Sequence, residues 1–190
     1  LVELREGETV RIGFGVEALA EHVLGEVLLA DGAADTPHGL AAAGAGKDFP
    51  QIFRAVQVAL QAKVEQEGRE YLFEFIDAPV EGVGWLAGGV LGQLILESGE
   101  AVLIANELMA NPTLEDLGAA IHAARYLDKE MAYQPTVDFL NRVVELAKEP
   151  FADTEELGRC TSWLGNAFEK TGQYDQALEN YQKCLAIELK

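Results

Sequence analysis

This sequence is short of positive charge. It carries 32 Asp and Glu against 14 Lys and Arg, a net charge of −18. No Lys or Arg occurs between Arg69 and Arg125, and a second gap runs from Arg11 to Lys47. Affinity for phosphate backbones comes from neutralising Lys and Arg, so nucleic acid and anionic membrane surfaces make poor partners. Cysteine is scarcer still, at two residues. Cys160 and Cys184 form no CxxC pair and cannot build a disulfide framework, which points to a reducing cytoplasm. The two serines, Ser98 and Ser162, stand outside any Gly-x-Ser-x-Gly setting. No apolar run of membrane-spanning length is present and no signal peptide is visible. The opening Leu1, in place of Met, suggests a segment of a longer chain.

What is present reads as a folded protein: 49% of the residues are apolar and 24% charged. Glu8 to Phe14 alternates like a short strand, and Val16 to Leu29 places Leu19, Val23 and Val27 at helical spacing. Asp31 to Lys47, rich in Gly and Ala, reads as a loop. Asp48 and Pro50 then open a helix with Ile52, Phe53, Val56, Leu60 and Val64 on one face, stopped by Gly68. Arg69 to Asp77 has the strongest strand pattern, with Tyr71, Phe73 and Phe75 on one side and Leu72, Glu74 and Ile76 on the other. The apolar runs within 90–108 fit strand and helix equally. From Thr113 onward only helical patterns remain. The expectation is an α+β domain over 1–111, with a boundary near Asn111-Pro112, followed by a helical module over 112–190.

Three local patterns invite chemistry. Gly82-x-Gly84-x-x-Ala87, with Glu107 about 20 to 25 residues on, has the outline of a dinucleotide-binding turn. On that reading Gly82, Gly84 and Ala87 hold a pyrophosphate, Glu107 holds a ribose, and the protein is a nucleotide- or dinucleotide-binding enzyme. Against it, Asp77-Ala78-Pro79 interrupts the strand that the turn should follow directly, and a structural turn is the preferred reading. Gly44-Ala45-Gly46-Lys47 lacks the first glycine of a phosphate loop, and Asp48 stands where Ser or Thr should bind magnesium. Asp31, Asp35 and His38 have no recognised metal-ligand spacing. His22 and His122 have no nucleophile at a defined distance. No catalytic residue, metal site or cofactor is expected.

The C-terminal pattern is more specific. Leu164-Gly165, Phe168, Gly172, Tyr174, Ala177, Tyr181 and Cys184 are spaced as two antiparallel helices need: small residues at close approaches, aromatics beside them, glycine in the turn. A second set lies 41 residues upstream, at Ala123-Ala124, Leu127, Tyr133, Val137, Leu140 and Val143, with Thr136 in place of Ala177. These residues resemble the tetratricopeptide (TPR) repeat family, in its longer, kinesin-light-chain-like form. The resemblance covers about 113–190 and is closest over 158–190. Leu189 stands where the repeat usually has proline.

The resemblance implies a protein–protein interaction module, a scaffold or the N-terminal part of a larger signalling protein, that holds a protein or peptide partner. Its groove positions correspond to Arg159, Ser162, Asn166, Glu169 and Lys170, suited to an acidic or carboxylate-ended segment. One repeat cannot cover its own faces, so either further repeats follow Lys190 or the uncapped end associates with itself. The charge distribution also generates a direct expectation. In about 0.15 M salt the protein should bind neither duplex nor single-stranded nucleic acid with sub-micromolar affinity, as measured by fluorescence anisotropy.

Overall fold

The structure, a computed structural model, describes residues 32, 35–44, 50–78, 80 and 82–189. Nine helices run through them: α1 (Pro37–Gly44), α2 (Pro50–Glu67), α3 (Arg69–Ile76), α4 (Val83–Ser98), α5 (Ala101–Leu108), α6 (Leu114–Lys129), α7 (Tyr133–Ala147), α8 (Glu155–Lys170) and α9 (Tyr174–Glu188). No strand occurs among the described residues, so the expected α+β domain is corrected to a helical one. The expected strand at 8–14 and the helix at 16–29 lie outside the described residues.

The expected strand at Arg69 to Asp77 is α3. Its buried residues are Tyr71, Leu72, Phe75 and Ile76, a helical set, while Glu74 is exposed and Phe73 half-buried. The same nine residues satisfy a period of 2 and a period of 3.6, and packing against α1, α2 and α4 decides between them. The expected loop at 31–47 contains α1, whose Leu40 and Ala41 are fully buried. The helix expected after Asp48 is α2, with Val56, Leu60 and Val64 buried and Gly68 at φ 94° beyond its end. The undecided run at 90–108 is helical, split between α4 and α5 by Gly99 at φ 70°.

Asn111-Pro112 lies in the short connection from α5 to α6, and helices on its two sides pack together. Among the described helices, α4 and α6 make the most extensive contact. Gly84, Gly88 and Gly92 form one stripe of α4, four residues apart. A Cβ added at Gly84 would overlap the carbonyl oxygen of Glu115, and one at Gly88 would overlap the Cβ of His122. At Gly92 it would stand 2.8 Å from the Tyr126 ring. Glycine inside a helix costs about 1 kcal/mol relative to alanine, and here the backbone-to-backbone approach offsets it.

From α4 onward the helices alternate between two layers. One layer stacks α4, α6 and α8 in order; the other begins with α5 against α7, and α7 also packs on α8. The last helix, α9, packs extensively on α8. One buried apolar cluster draws members from all nine helices, from Leu40 to Ala177.

The 41-residue spacing reappears in the turns. Between α8 and α9, Gln173 N–H donates to Phe168 O (2.8 Å) and Gly172 N–H to Glu169 O (3.0 Å). Between α6 and α7, Ala132 N–H donates to Leu127 O (2.8 Å) and Met131 N–H to Asp128 O (2.9 Å). Both are Schellman turns, which place one residue in the left-handed region. Gly172 occupies it at φ 79°, and Met131 occupies it at φ 57° without glycine's freedom. Met131 is 73% exposed and contributes little packing. Met131→Gly should therefore stabilise the protein by about 0.5–1 kcal/mol, seen as a rise in midpoint on thermal unfolding.

Candidate functional site

Two surfaces merit examination, one on each layer. The first is the outer face of α8, where the sequence places a partner. Thr154 caps this helix, accepting from Leu157 N–H (3.3 Å), and buries Leu157, Leu164 and Phe168 on the opposite side. Arg159, Glu169 and Lys170 are exposed, and Ser162 and Asn166 half-buried. Two of the five are engaged within the hairpin. The Tyr181 hydroxyl of α9 lies 2.7 Å from Asn166 Oδ1 and 2.9 Å from Glu169 Oε2. A hydroxyl has one proton, so donation to the Glu169 carboxylate leaves the other contact to an Asn166 amide turned to present Nδ2. Tyr181 also fills the space at Gly165, where an added Cβ would stand 2.7 Å from its ring. Ala177, expected to pack there, is buried, but the Tyr181 ring supplies the nearest atoms.

Beside Arg159, the α6 face carries His122 and Arg125. The His122 ring meets Trp85 of α4 edge-on, with centroids 5.8 Å apart and planes at 67°. Burial, and then the positive charges of Arg125 and Arg159, hold the imidazole down at about 4. Exposed Arg125 of α6 and Arg159 of α8 thus act electrostatically on His122, which is neutral at pH 7.

The glycine turn holds an internal anion. Gly82 sits at φ 80° immediately before α4, and the N–H groups of Gly82 and Gly84 donate to Glu115 Oε1 (3.1 Å) and Oε2 (2.9 Å). A helix N-terminus favours an anion, and the Glu115 carboxylate from α6 occupies the place a pyrophosphate would need. Ala87 is fully buried, and Glu107 Oε1 lies 2.8 Å from Arg69 Nη2. None of these four residues lines the groove between α7 and α9. No described group of three or more His, Cys, Asp or Glu is arranged to hold a metal, and no described helix is long and apolar enough to cross a membrane. Asp35 and His38 are exposed. Cys160 is fully buried, its Sγ 3.8 Å from Leu117 O, and burial pushes its thiol up to about 12. A thiol held there is no nucleophile at neutral pH.

The second surface is a groove of about 610 Å³ between α7 and α9. Leu157, Thr161, Leu164 and Phe168 of α8 form its floor. Asn141, Val144, Glu145 and Lys148 of α7 make one wall, and Gln176, Glu179, Asn180, Lys183, Ala186 and Ile187 of α9 the other. The repeat explains why it is open. In α7, Arg142 Nε donates to Asn106 Oδ1 of α5 (2.6 Å), and Phe139, one turn earlier on that face, is fully buried. Forty-one residues on, Asn180 stands for Phe139 and Lys183 for Arg142. Asn180 Nδ2 turns back to Gln176 O (2.8 Å), and Lys183 Nζ pairs with Glu179 of its own helix (2.7 Å). Neither reaches α7. So α5 and α7 pack directly, whereas α7 and α9 stand apart over an apolar floor.

Sequence reasoning missed this groove, although the Phe139-to-Asn180 exchange was available in the 41-residue alignment. Comparison with protein-family models, curated proteins and solved structures found no match to this chain.

The histidine allows a pH test. Its folded value of about 4 lies below the ordinary 6.5, so the stability it permits is fully present above 6.5 and is lost as pH falls towards 4. NMR of the ring protons should show His122 uncharged until about pH 4, with Arg125→Ala or Arg159→Ala moving the midpoint upward. The loss of thermal stability between pH 6.5 and 4 should be smaller in His122→Gln than in the parent.

Proposed function

We propose that this chain is a polypeptide-binding helical-repeat module of the tetratricopeptide type, and that its ligand is an amphipathic α-helix held between α7 and α9. The observation that carries the reading is the open groove, where the preceding hairpin closes the equivalent one with α5. At the matching place α5 and α7 touch directly, whereas α7 and α9 leave a space over an apolar floor. An apolar stripe would lie over the buried floor and cover Val144, Ala186 and Ile187 on the walls, removing apolar surface from water. Acidic residues flanking that stripe would meet Lys148 and Lys183, one on each wall. Lys148 makes no ion pair with another described residue, and Lys183 is 55% exposed in its pairing with Glu179. Such a module suits a cytoplasmic scaffold or a component of a larger signalling protein.

A second reading places a carboxylate-bearing segment on the other layer, at Arg159 and Lys170. Arg125 and Arg159 beside His122 favour it, since they gather cations on one face of a strongly acidic protein. Engagement of Asn166 and Glu169 by Tyr181 weakens it, because two of the five groove positions are already bonded within the hairpin.

Panning a displayed library of amphipathic helical peptides against the 190-residue protein separates the readings. Peptides selected on the parent should lose about tenfold or more affinity for Asn180→Phe, which restores the aromatic of the closed hairpin. They should bind unchanged to the Arg159→Ala, Lys170→Ala double variant. The opposite pattern would move the site to the α8 outer face. Failure to select any peptide whose binding responds to either change would sink the proposal.

A further inference from the structure

One residue of the groove is out of keeping with its apolar floor. The buried polar residues of the described chain are Asp116, Thr136, Thr161 and Asn180. Three of them make their bonds locally. Asp116 accepts from the amide and hydroxyl of Thr113, and the hydroxyls of Thr136 and Thr161 donate to Ala132 O and Leu157 O, each at 2.8 Å. Asn180 is only 6% exposed and lines the groove, yet its amide is half used. Nδ2 donates to Gln176 O (2.8 Å), which fixes the nitrogen end, since a carbonyl oxygen can only accept. Among the described residues this is the side chain's one hydrogen bond, so Oδ1 and the second N–H stand without a partner.

That oxygen is not sealed in. The unbonded side-chain atoms shut off from solvent among the described residues are Gln61 Oε1 and Glu107 Oε2, and Asn180 Oδ1 is not one of them. Asn180 therefore keeps an acceptor and a donor for whatever fills the groove it lines. Packing within the array does not require an amide here. At the corresponding position of α7, Phe139 is fully buried, and there α5 and α7 touch directly.

Desolvation selects the occupant. Hydrocarbon laid over an unpaired acceptor and donor removes their water bonds and replaces neither. Charge does not choose the partner, because the walls carry Lys148 and Lys183 together with Glu145 and Glu179. Donor and acceptor counts do. A carboxylate accepts from Nδ2 but has no hydrogen for Oδ1, and an ammonium donates to Oδ1 but accepts nothing. A carboxamide does both at once, through two N–H···O bonds between paired amides.

We propose that Asn180 is the specificity-determining residue of the groove, selecting an amphipathic helix whose apolar stripe is interrupted by one Asn or Gln. This rests on the helix-binding reading of the same groove and adds to it what sets register. The amide of the occupant must fall opposite Asn180, so a helix slid by one turn meets it with hydrocarbon and is rejected. A single buried amide fixes register between packed helices in the same way, giving up some affinity for the right partner to exclude wrong ones.

A double-mutant cycle between peptide and protein tests this on the 190-residue chain. Helical peptides panned on the parent, and shown to use the groove by their loss of affinity for Asn180→Phe, should carry an Asn or Gln within the apolar stripe. Replacing that amide by Leu should weaken binding to the parent about tenfold or more. The same replacement should leave binding to Asn180→Leu undiminished, because leucine keeps the branched shape and removes the polar atoms. The peptide substitution leaves the protein untouched, so the first loss is read whether or not Asn180→Leu folds well. Groove-dependent peptides with an uninterrupted apolar stripe would overturn this inference and leave the groove standing. So would an amide whose replacement costs the same on the parent and on Asn180→Leu. Absence of any groove-dependent peptide would overturn both.

Discussion

The close approach of α4 to α6 is the constraint on which the rest of the array depends. Three glycines permit it, and each denies α4 the propensity that would let it form alone. The helix therefore exists because α6 receives it, and α6 supplies more than a surface. Glu115, in the first turn of α6, reaches the amides that open α4, while Thr113 and Asp116 close a capping box at its own start. Burial pushes the Asp116 carboxyl up to about 6 against the bonds from Thr113. The junction of the two helices is thus organised by acids used as caps. It also brings Trp85 onto His122, since Gly88 lets the backbone of α4 settle at the His122 Cβ. A side chain at position 88 would push α4 and α6 apart before it disturbed anything local.

Scarce cations are placed where the second layer meets its surroundings. Arg69 holds Glu100 and Glu107 at 2.8 Å each, tying the start of α3 to both ends of α5. Arg142 bonds Asn106 of α5 and Glu145 of its own helix, fixing α7 on α5. These pairs are partly exposed and individually modest, yet they are directional where apolar packing is not. The corresponding lysine on α9 forms only a pair within its own helix, and at that place the layer opens.

Legibility in the sequence followed the length and periodicity of each element. The helices from Thr113 onward could be read because their apolar spacing is sustained, and the α8–α9 hairpin because Gly165, Gly172 and Ala177 combine with aromatics. The region before Asn111 was misread for a physical reason. REYLFEFID obeys two periods at once, and a short segment carries too little pattern to choose; its neighbours chose. The passage at Gly82, Gly84 and Ala87 read as a turn because glycine's helix propensity is poor, and nothing local announces that α6 will meet Gly84, Gly88 and Gly92. The five α8 residues fall on a helix that does form, but Tyr181 could not be seen reaching Asn166 and Glu169, because that contact depends on how the hairpin closes. The groove was encoded in a difference between two repeats, Phe139 against Asn180, and became visible once α5 was known to occupy one of the two equivalent places.

The Phe139-to-Asn180 exchange also explains how α9 tolerates so much open surface. Its buried edge includes Ala177, Asn180 and Cys184, and Gly158 meets Ile187 across the hairpin, with an added Cβ 3.5 Å from that side chain. The Schellman turn at Gly172 and the Tyr181 hydroxyl add direction to that packing. Attachment to α8 along one edge leaves the other two sides without structural duty towards the described chain. One of those sides looks back at α7 across a groove with polar walls and an apolar floor; the other looks outward with four large apolar residues. Asn180 and Lys183 thus stand on the groove side of α9 and leucines on another, with α8 supporting both.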